Sequence, residues 1–283
     1  MTATAAMKTD LGMTPEKVIN LDAYPLLDDT NPKRAEIVAR CKADLDSKQY
    51  CVLPDFILPE ARKLAVEQAL AVEHLAHLNC ANRNCYLQRV KDPSLPDDHA
   101  RNVFLSASMR MLACDVLPAD SPLKTLYHWD ATKKLIAEIV GVEKLYDNED
   151  RFQPVNTVIY HDGDRSAWHF DSTNAFTMTL MLQAPEKGGK FEMAPHTRSD
   201  DDQNYDYVGK VVRGEVPENT VEVGREEGAL CIFRGCNSLH RVSPVEGDRR
   251  RVMGVFVYEN EPGITGDREV NETVYGPRVA EVS

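Results

Sequence analysis

Trp168-His169-Phe170-Asp171 and Asn237-Ser238-Leu239-His240-Arg241-Val242-Ser243-Pro244-Val245 are the two stretches on which the fold turns. Around them the chain breaks into short β-prone runs: Val155 to Tyr160, Phe176 to Leu182, Lys190 to Met193, Thr220 to Val223, Ala229 to Phe233 and Val252 to Tyr258. Turn-forming clusters separate the runs, among them Asp162-Gly163-Asp164, Lys187-Gly188-Gly189 and Glu246-Gly247-Asp248. Short strands at this spacing, with no helical pattern between them, predict an antiparallel barrel or sandwich.

In a strand, residues i and i+2 point to one face, so His169 and Asp171 reach one metal from one wall. A His-x-Asp pair alone is a common chance feature, and the third ligand decides. His240 supplies it, after the strand and turn of Ala229 to Gly235. Two imidazoles and one carboxylate on one face of an octahedral iron(II) leave three adjacent positions open, enough for a chelating 2-oxo acid and O2. Arg251, eleven residues past His240, opens the apolar run to Tyr258. A guanidinium fork suits the distal carboxylate of a dicarboxylic cosubstrate. By period 2, Arg249 shares the face of Arg251 and Arg250 turns away, so Arg249 and Arg251 are the cosubstrate candidates.

The combination of His-x-Asp, about 70 residues, His-Arg-Val-x-Pro-Val, Gly247 and an arginine leading the last apolar strand resembles the iron(II)/2-oxoglutarate dioxygenases. The resemblance implies an α+β chain built on a double-stranded β-helix (jelly-roll or cupin barrel) with flanking N-terminal helices. Its cofactors would be Fe(II), 2-oxoglutarate and O2, and its products succinate, CO2 and an oxidised small molecule. Cys114-Asp115-Val116-Leu117-Pro118-Ala119-Asp120-Ser121-Pro122-Leu123, Thr179-Leu180-Met181-Leu182-Gln183 and Gly188-Gly189 are similar to enzymes that hydroxylate or halogenate free amino acids. Halogenating members of that group carry a small residue where this chain has Asp171, so the resemblance implies C–H hydroxylation. A desaturase or cyclase would use the same ligands. A cupin needing no 2-oxoglutarate would release no succinate and tolerate changes at Arg251, and a barrel used only for binding would turn over no amino acid.

Upstream, Ile37, Val38, Cys41 and Leu45 recur at helical spacing after Asn31-Pro32, and Tyr50 to Leu53 reads as a buried strand. Further helices are predicted after Pro59, from about Pro122, and from Ala131 to Val140 before Gly141. Residues 78–105 read as irregular. The expected organisation is an arm over residues 1–30 and one dioxygenase domain over 31–283. Within that domain, 31–150 is mainly helical, 151–260 is the β-helix core and 261–283 is a C-terminal tail.

The remaining sequence signals bound the function. A net charge of −12 argues against nucleic acid, because phosphate contacts need a basic face. No run approaches a membrane span, and the N-terminal residues lack a secretory pattern, so a cytoplasmic protein is expected. Seven scattered cysteines fit a reducing compartment, in which the Asn271-Glu272-Thr273 sequon has no role. The substrate is expected to be a small molecule, an amino acid in the first instance, and a homodimer is left open. Loop residues His161, Arg165, Arg234 and Asn237 are the substrate-contact candidates, with Asn156, Thr179 and Gln183 as further inward-pointing polar groups. His74-x-x-His77-x-x-Cys80, with Cys85, is a rival zinc pattern, although on a helix those positions fan out.

Overall fold

The computed structural model describes residues 13–171 and 176–282. Its framework is a seven-stranded antiparallel sheet facing a smaller one. The strands are β1 (Tyr50–Leu53), β2 (His77–Arg83), β3 (Leu105–Leu112), β4 (Tyr146–Asp147), β5 (Val155–Tyr160), β6 (Ser166–His169), β7 (Thr177–Gln183) and β8 (Lys187–Gly188). They continue with β9 (Phe191–Ala194), β10 (Val221–Glu222), β11 (Leu230–Phe233), β12 (Leu239–Val242), β13 (Val245–Glu246), β14 (Arg251–Phe256) and β15 (Tyr258–Glu259). The large sheet runs β1-β11-β7-β14-β5-β3-β2 and the small one β10-β9-β12-β6.

Alternation along the central strands explains their composition. Leu180, Leu230, Ile232, Val252 and Phe256 face a core that also holds Leu45, Leu123, Leu126 and Ile136 from the helical layer. That layer comprises α1 (Pro32–Lys48), α2 (Pro59–Ala71), α3 (Pro122–His128) and α4 (Asp130–Val140). The alternate residues Val158, Tyr160, Cys231, Phe233 and Met253 face inward, against Phe191, Met193 and Val242 of the small sheet. A sheet buried on both faces reads as continuous apolar runs, which is why these strands were visible in the sequence. Helix ends follow local chemistry. The Asn31 side chain accepts from Lys33 N at the start of α1, and Gly141 closes α4 at φ +84°.

Four sequence expectations differ from the structure. Residues 13–30 are not a loosely docked arm: Val18 and Ile19 are fully buried, Ile19 pairs with Ile57, and Tyr24 packs on Phe56. Residues 1–12 of that segment lie outside the described residues. The stretch read as irregular contains β2, paired with β3 over its whole length. It was missed because β2 is an edge strand with polar residues on both faces. A helix, α5 (Tyr205–Val212), interrupts the expected run of strands, its buried Val208, Val211 and Val212 packing near Trp168 and Phe170. The C-terminal tail holds α6 (Arg268–Tyr275), capped by Asp267, and α7 (Arg278–Val282). Asn79 of β2 donates to Thr273 O, so α6 lies across the edge of the large sheet.

Candidate metal centre and cosubstrate cavity

Strands β6 and β12 pair so that His169 lies opposite His240. Asp171 sits two residues beyond the end of β6, placed by its own backbone N–H, which donates to Gly235 O at 3.1 Å. The donor atoms of the three residues all lie within 4.8 Å of one another. Asp171 Oδ1 is 3.7 Å from His169 Nε2 and 3.4 Å from His240 Nε2. The second carboxylate oxygen accepts a hydrogen bond from Thr177 Oγ1.

Each imidazole is oriented from behind. His169 Nδ1 bonds the carbonyl of Ala167 at 2.8 Å, and His240 Nδ1 bonds that of Ser238 at 3.1 Å. A carbonyl can only accept, so each Nδ1–H donates and each Nε2 is left facing Asp171. Burial, and then the facing His240, push His169 down to about 4. Burial alone would raise the Asp171 carboxyl, but His240, His169 and Thr177 outweigh it and hold the group well below the usual carboxylate range. Two imidazole nitrogens and a carboxylate oxygen thus converge on one point, which is the donor set that suits iron(II).

Gly235 leaves room for the carboxylate. A Cβ there would overlap Asp171 Oδ2 and come within 2.7 Å of Cγ. The rival zinc residues do not assemble: among the described residues His169, Asp171 and His240 are the grouped set, and His77 lies on β2 rather than a helix.

The three donors line a cavity of about 210 Å³ between the sheets, with Tyr160, Thr179, Arg225 and Met253 deeper in and Arg83 near the opening. A wider vestibule shares Arg83, His169, Asp171 and Thr177 and adds Arg89, Asp267 and Glu269. The expected arginine pair divides. Arg251, the first residue of β14, is fully buried on the inner face. Arg249 lies before the strand, where the two-residue period does not hold, and pairs with Glu227 at 2.7 Å. Arg250 pairs with Glu73 at 3.1 Å.

The four loop candidates sit outside the cavity lining. His161 bonds Glu73, Arg165 Nε donates to Ser106 O, and Asn237 donates to Asp200. Arg234 is held through its backbone N–H to Gln49 O. Of the inward-pointing polar groups, Thr179 lines the cavity, whereas Asn156 is taken by Tyr275 and Gln183 by Arg250 O. Sequence reading missed Arg83 and Arg225.

The chain superimposes on the non-heme alpha ketoglutarate dependent epimerase SnoN from nogalamycin biosynthesis with a TM-score of 0.52 and 15% identity, covering 79% of this chain and 81% of that one. An oxidoreductase of the 2OG-Fe(II) oxygenase family from Burkholderia pseudomallei gives 0.50 and 14%, covering 80% and 92%. A prolyl hydroxylase from Trichoplax adhaerens, in complex with a hypoxia inducible factor peptide fragment, gives 0.50 and 13%, covering 79% and 90%. These likenesses concern the fold. No curated protein matches significantly. The fold is one shared with non-heme iron(II)/2-oxoglutarate oxygenases, and the donor set is one that could hold iron(II). Residues 99–275 match the family model described as Halogenase D, well over half of the chain, and the chain belongs to that family.

Proposed function

We propose that this enzyme hydroxylates a C–H bond of a free amino acid or similar small zwitterion, on a double-stranded β-helix core, with His169, Asp171 and His240 as iron ligands. The observation that carries the reading is Asp171, whose Oδ1 faces both Nε2 atoms while Thr177 holds Oδ2. With all three protein donors present, the carboxylate takes the position a halide would need. Iron(II) and 2-oxoglutarate would supply the oxidation, O2 being consumed as 2-oxoglutarate decarboxylates to succinate and CO2.

The chain's residues do the positioning. Arg251 offers a buried cation for the distal carboxylate of 2-oxoglutarate, with Nε anchored on Gly189 O at 3.0 Å. Arg83 borders both the cavity and the vestibule and has no carboxylate within ion-pair distance among the described residues. It suits a substrate carboxylate, while Asp267 and Glu269 across the vestibule suit an ammonium group. No helix among the described residues is long and apolar enough to cross a membrane.

The test is an anaerobic titration with iron(II) and then 2-oxoglutarate, followed by a panel of amino acids assayed for succinate. The visible charge-transfer band of chelated 2-oxoglutarate and amino-acid-dependent succinate release are expected. Absence of the band would overturn the cofactor pair at this site. A band with no amino-acid response would overturn the substrate class.

A further inference from the structure

Two buried cations, not one, lie against Met253, which lines the cavity together with Arg225. Arg251 is fully buried; beyond its bond to Gly189 O, its Nη1 and Nη2 reach the thioether of Met253, at 3.6 and 3.7 Å, and its guanidinium lies over the Tyr160 ring, 5.2 Å from the centroid. Arg225 enters from the connection between β10 and β11. Its Nη1 donates to Thr179 Oγ1 at 2.6 Å and lies 3.9 Å from the same Met253 sulfur. Its guanidinium stacks on Phe191, 4.1 Å from the ring centroid. Arg225 Nε and Nη2 are buried with no hydrogen-bond partner.

Neither guanidinium has a carboxylate within ion-pair distance among the described residues. The adjacent Glu227 is committed to Arg62 and Arg249. Cys231 lies beside Arg225, but burial pushes its thiol up to about 11, so it is neutral at physiological pH. A thioether and a thiol are weak acceptors. Burying an unpaired charge costs several kcal/mol, and two together add mutual repulsion. An anion bound between them would relieve both.

We infer that Arg225 and Arg251 form a two-guanidinium clamp for the distal carboxylate of 2-oxoglutarate, with Thr179 as its third member. The inference rests on reading this cavity as the 2-oxoglutarate site. Arg225 lines the cavity that also holds His169, Asp171 and His240, so one diacid can address both ends. Because Thr179 Oγ1 already accepts from Arg225, its own O–H is free to donate to the carboxylate.

Binding, not turnover, tests this. The metal-loaded enzyme is titrated anaerobically by calorimetry with 2-oxoglutarate and with 2-oxobutyrate, which lacks the distal carboxylate. Arg225→Gln should weaken 2-oxoglutarate at least roughly tenfold, as loss of a charged hydrogen-bond partner does, and leave 2-oxobutyrate within about twofold. Arg225→Lys, which keeps the charge without the fork, should fall between the wild type and Arg225→Gln, and it carries the test if the glutamine variant does not fold. If only Arg251→Gln loses 2-oxoglutarate, the clamp is refuted while the cosubstrate site stands. If neither variant does, the cosubstrate placement itself falls. Equal losses for both ligands would mark Arg225 as a packing residue and overturn the inference.

Discussion

His169 and His240 stand opposite each other on paired strands, ring centroids 4.2 Å apart, each with Nδ1 fixed by a carbonyl two residues upstream in the chain. Two imidazoles so close, with Nε2 atoms aimed at one carboxylate, are poor neighbours if either is protonated. They are good ones around a cation. The backbone ladder therefore sets tautomer and aim before any metal arrives, and Asp171 completes the set from just beyond the strand.

Alanine at His169 or His240 should abolish iron-dependent turnover and keep the fold, with the larger loss of stability at His240, whose buried ring packs on Phe191 and Phe233. Iron stoichiometry and far-ultraviolet circular dichroism check this. Near-wild-type activity in His240→Ala with iron still bound would remove it from the ligand set.

Gly235→Ala should lower iron affinity by at least roughly tenfold with little change in thermal stability. Gly235 does not require positive φ, so the methyl acts on the Asp171 carboxylate rather than on the backbone. An unchanged iron titration would mean that Asp171 can bind from another rotamer.

Arg251→Ala should raise the apparent 2-oxoglutarate requirement at least roughly tenfold, equivalent to about 1.5–3 kcal/mol for a lost charged hydrogen bond. Arg249→Ala and Arg250→Ala should act weakly, since both make solvent-facing ion pairs, worth about 1 kcal/mol or less. A larger effect at Arg249 than at Arg251 would contradict the inward placement of β14.

The metal-free protein should lose stability as pH falls from about 6.5 to about 4. With its folded value lowered to about 4, His169 is neutral in the native state while the unfolded chain already takes up a proton, so acid favours unfolding. His169→Gln removes that contribution. Melting temperatures of chelator-treated wild type and variant should converge or cross across this interval, and a constant difference would rule the protonation out.

Much of the site was legible because its residues carry both pattern and chemistry. Two candidate donors spaced by two, a distal histidine after a turn and an arginine opening an apolar strand are local signals. Arg225 was not legible. It sits in Gly224-Arg225-Glu226-Glu227-Gly228, which reads as a solvated charged turn, and only the meeting of the two sheets buries it. Arg249 shows the converse failure: period 2 was extended one step past the start of the strand. The edge pair β2 and β3 was hidden because neither strand is apolar on both faces.

The reaction type hinges on Asp171. Membership of the Halogenase D family raises the expectation of halide transfer, yet here a carboxylate oxygen lies 3.4 and 3.7 Å from the two imidazole nitrogens. Its low proton affinity favours the anionic form, so at the proposed site chloride would have to compete with a carboxylate for the same position. No chlorinated product is therefore expected from the natural chain at any chloride concentration, and a hydroxylated amino acid is. Asp171→Gly should weaken iron binding and suppress hydroxylation, since one of three protein donors is gone. Mass spectrometry of wild-type reactions run with chloride or bromide decides the matter. A halogenated product would show that Asp171 leaves the metal during turnover, and the ligand set would have to be redrawn.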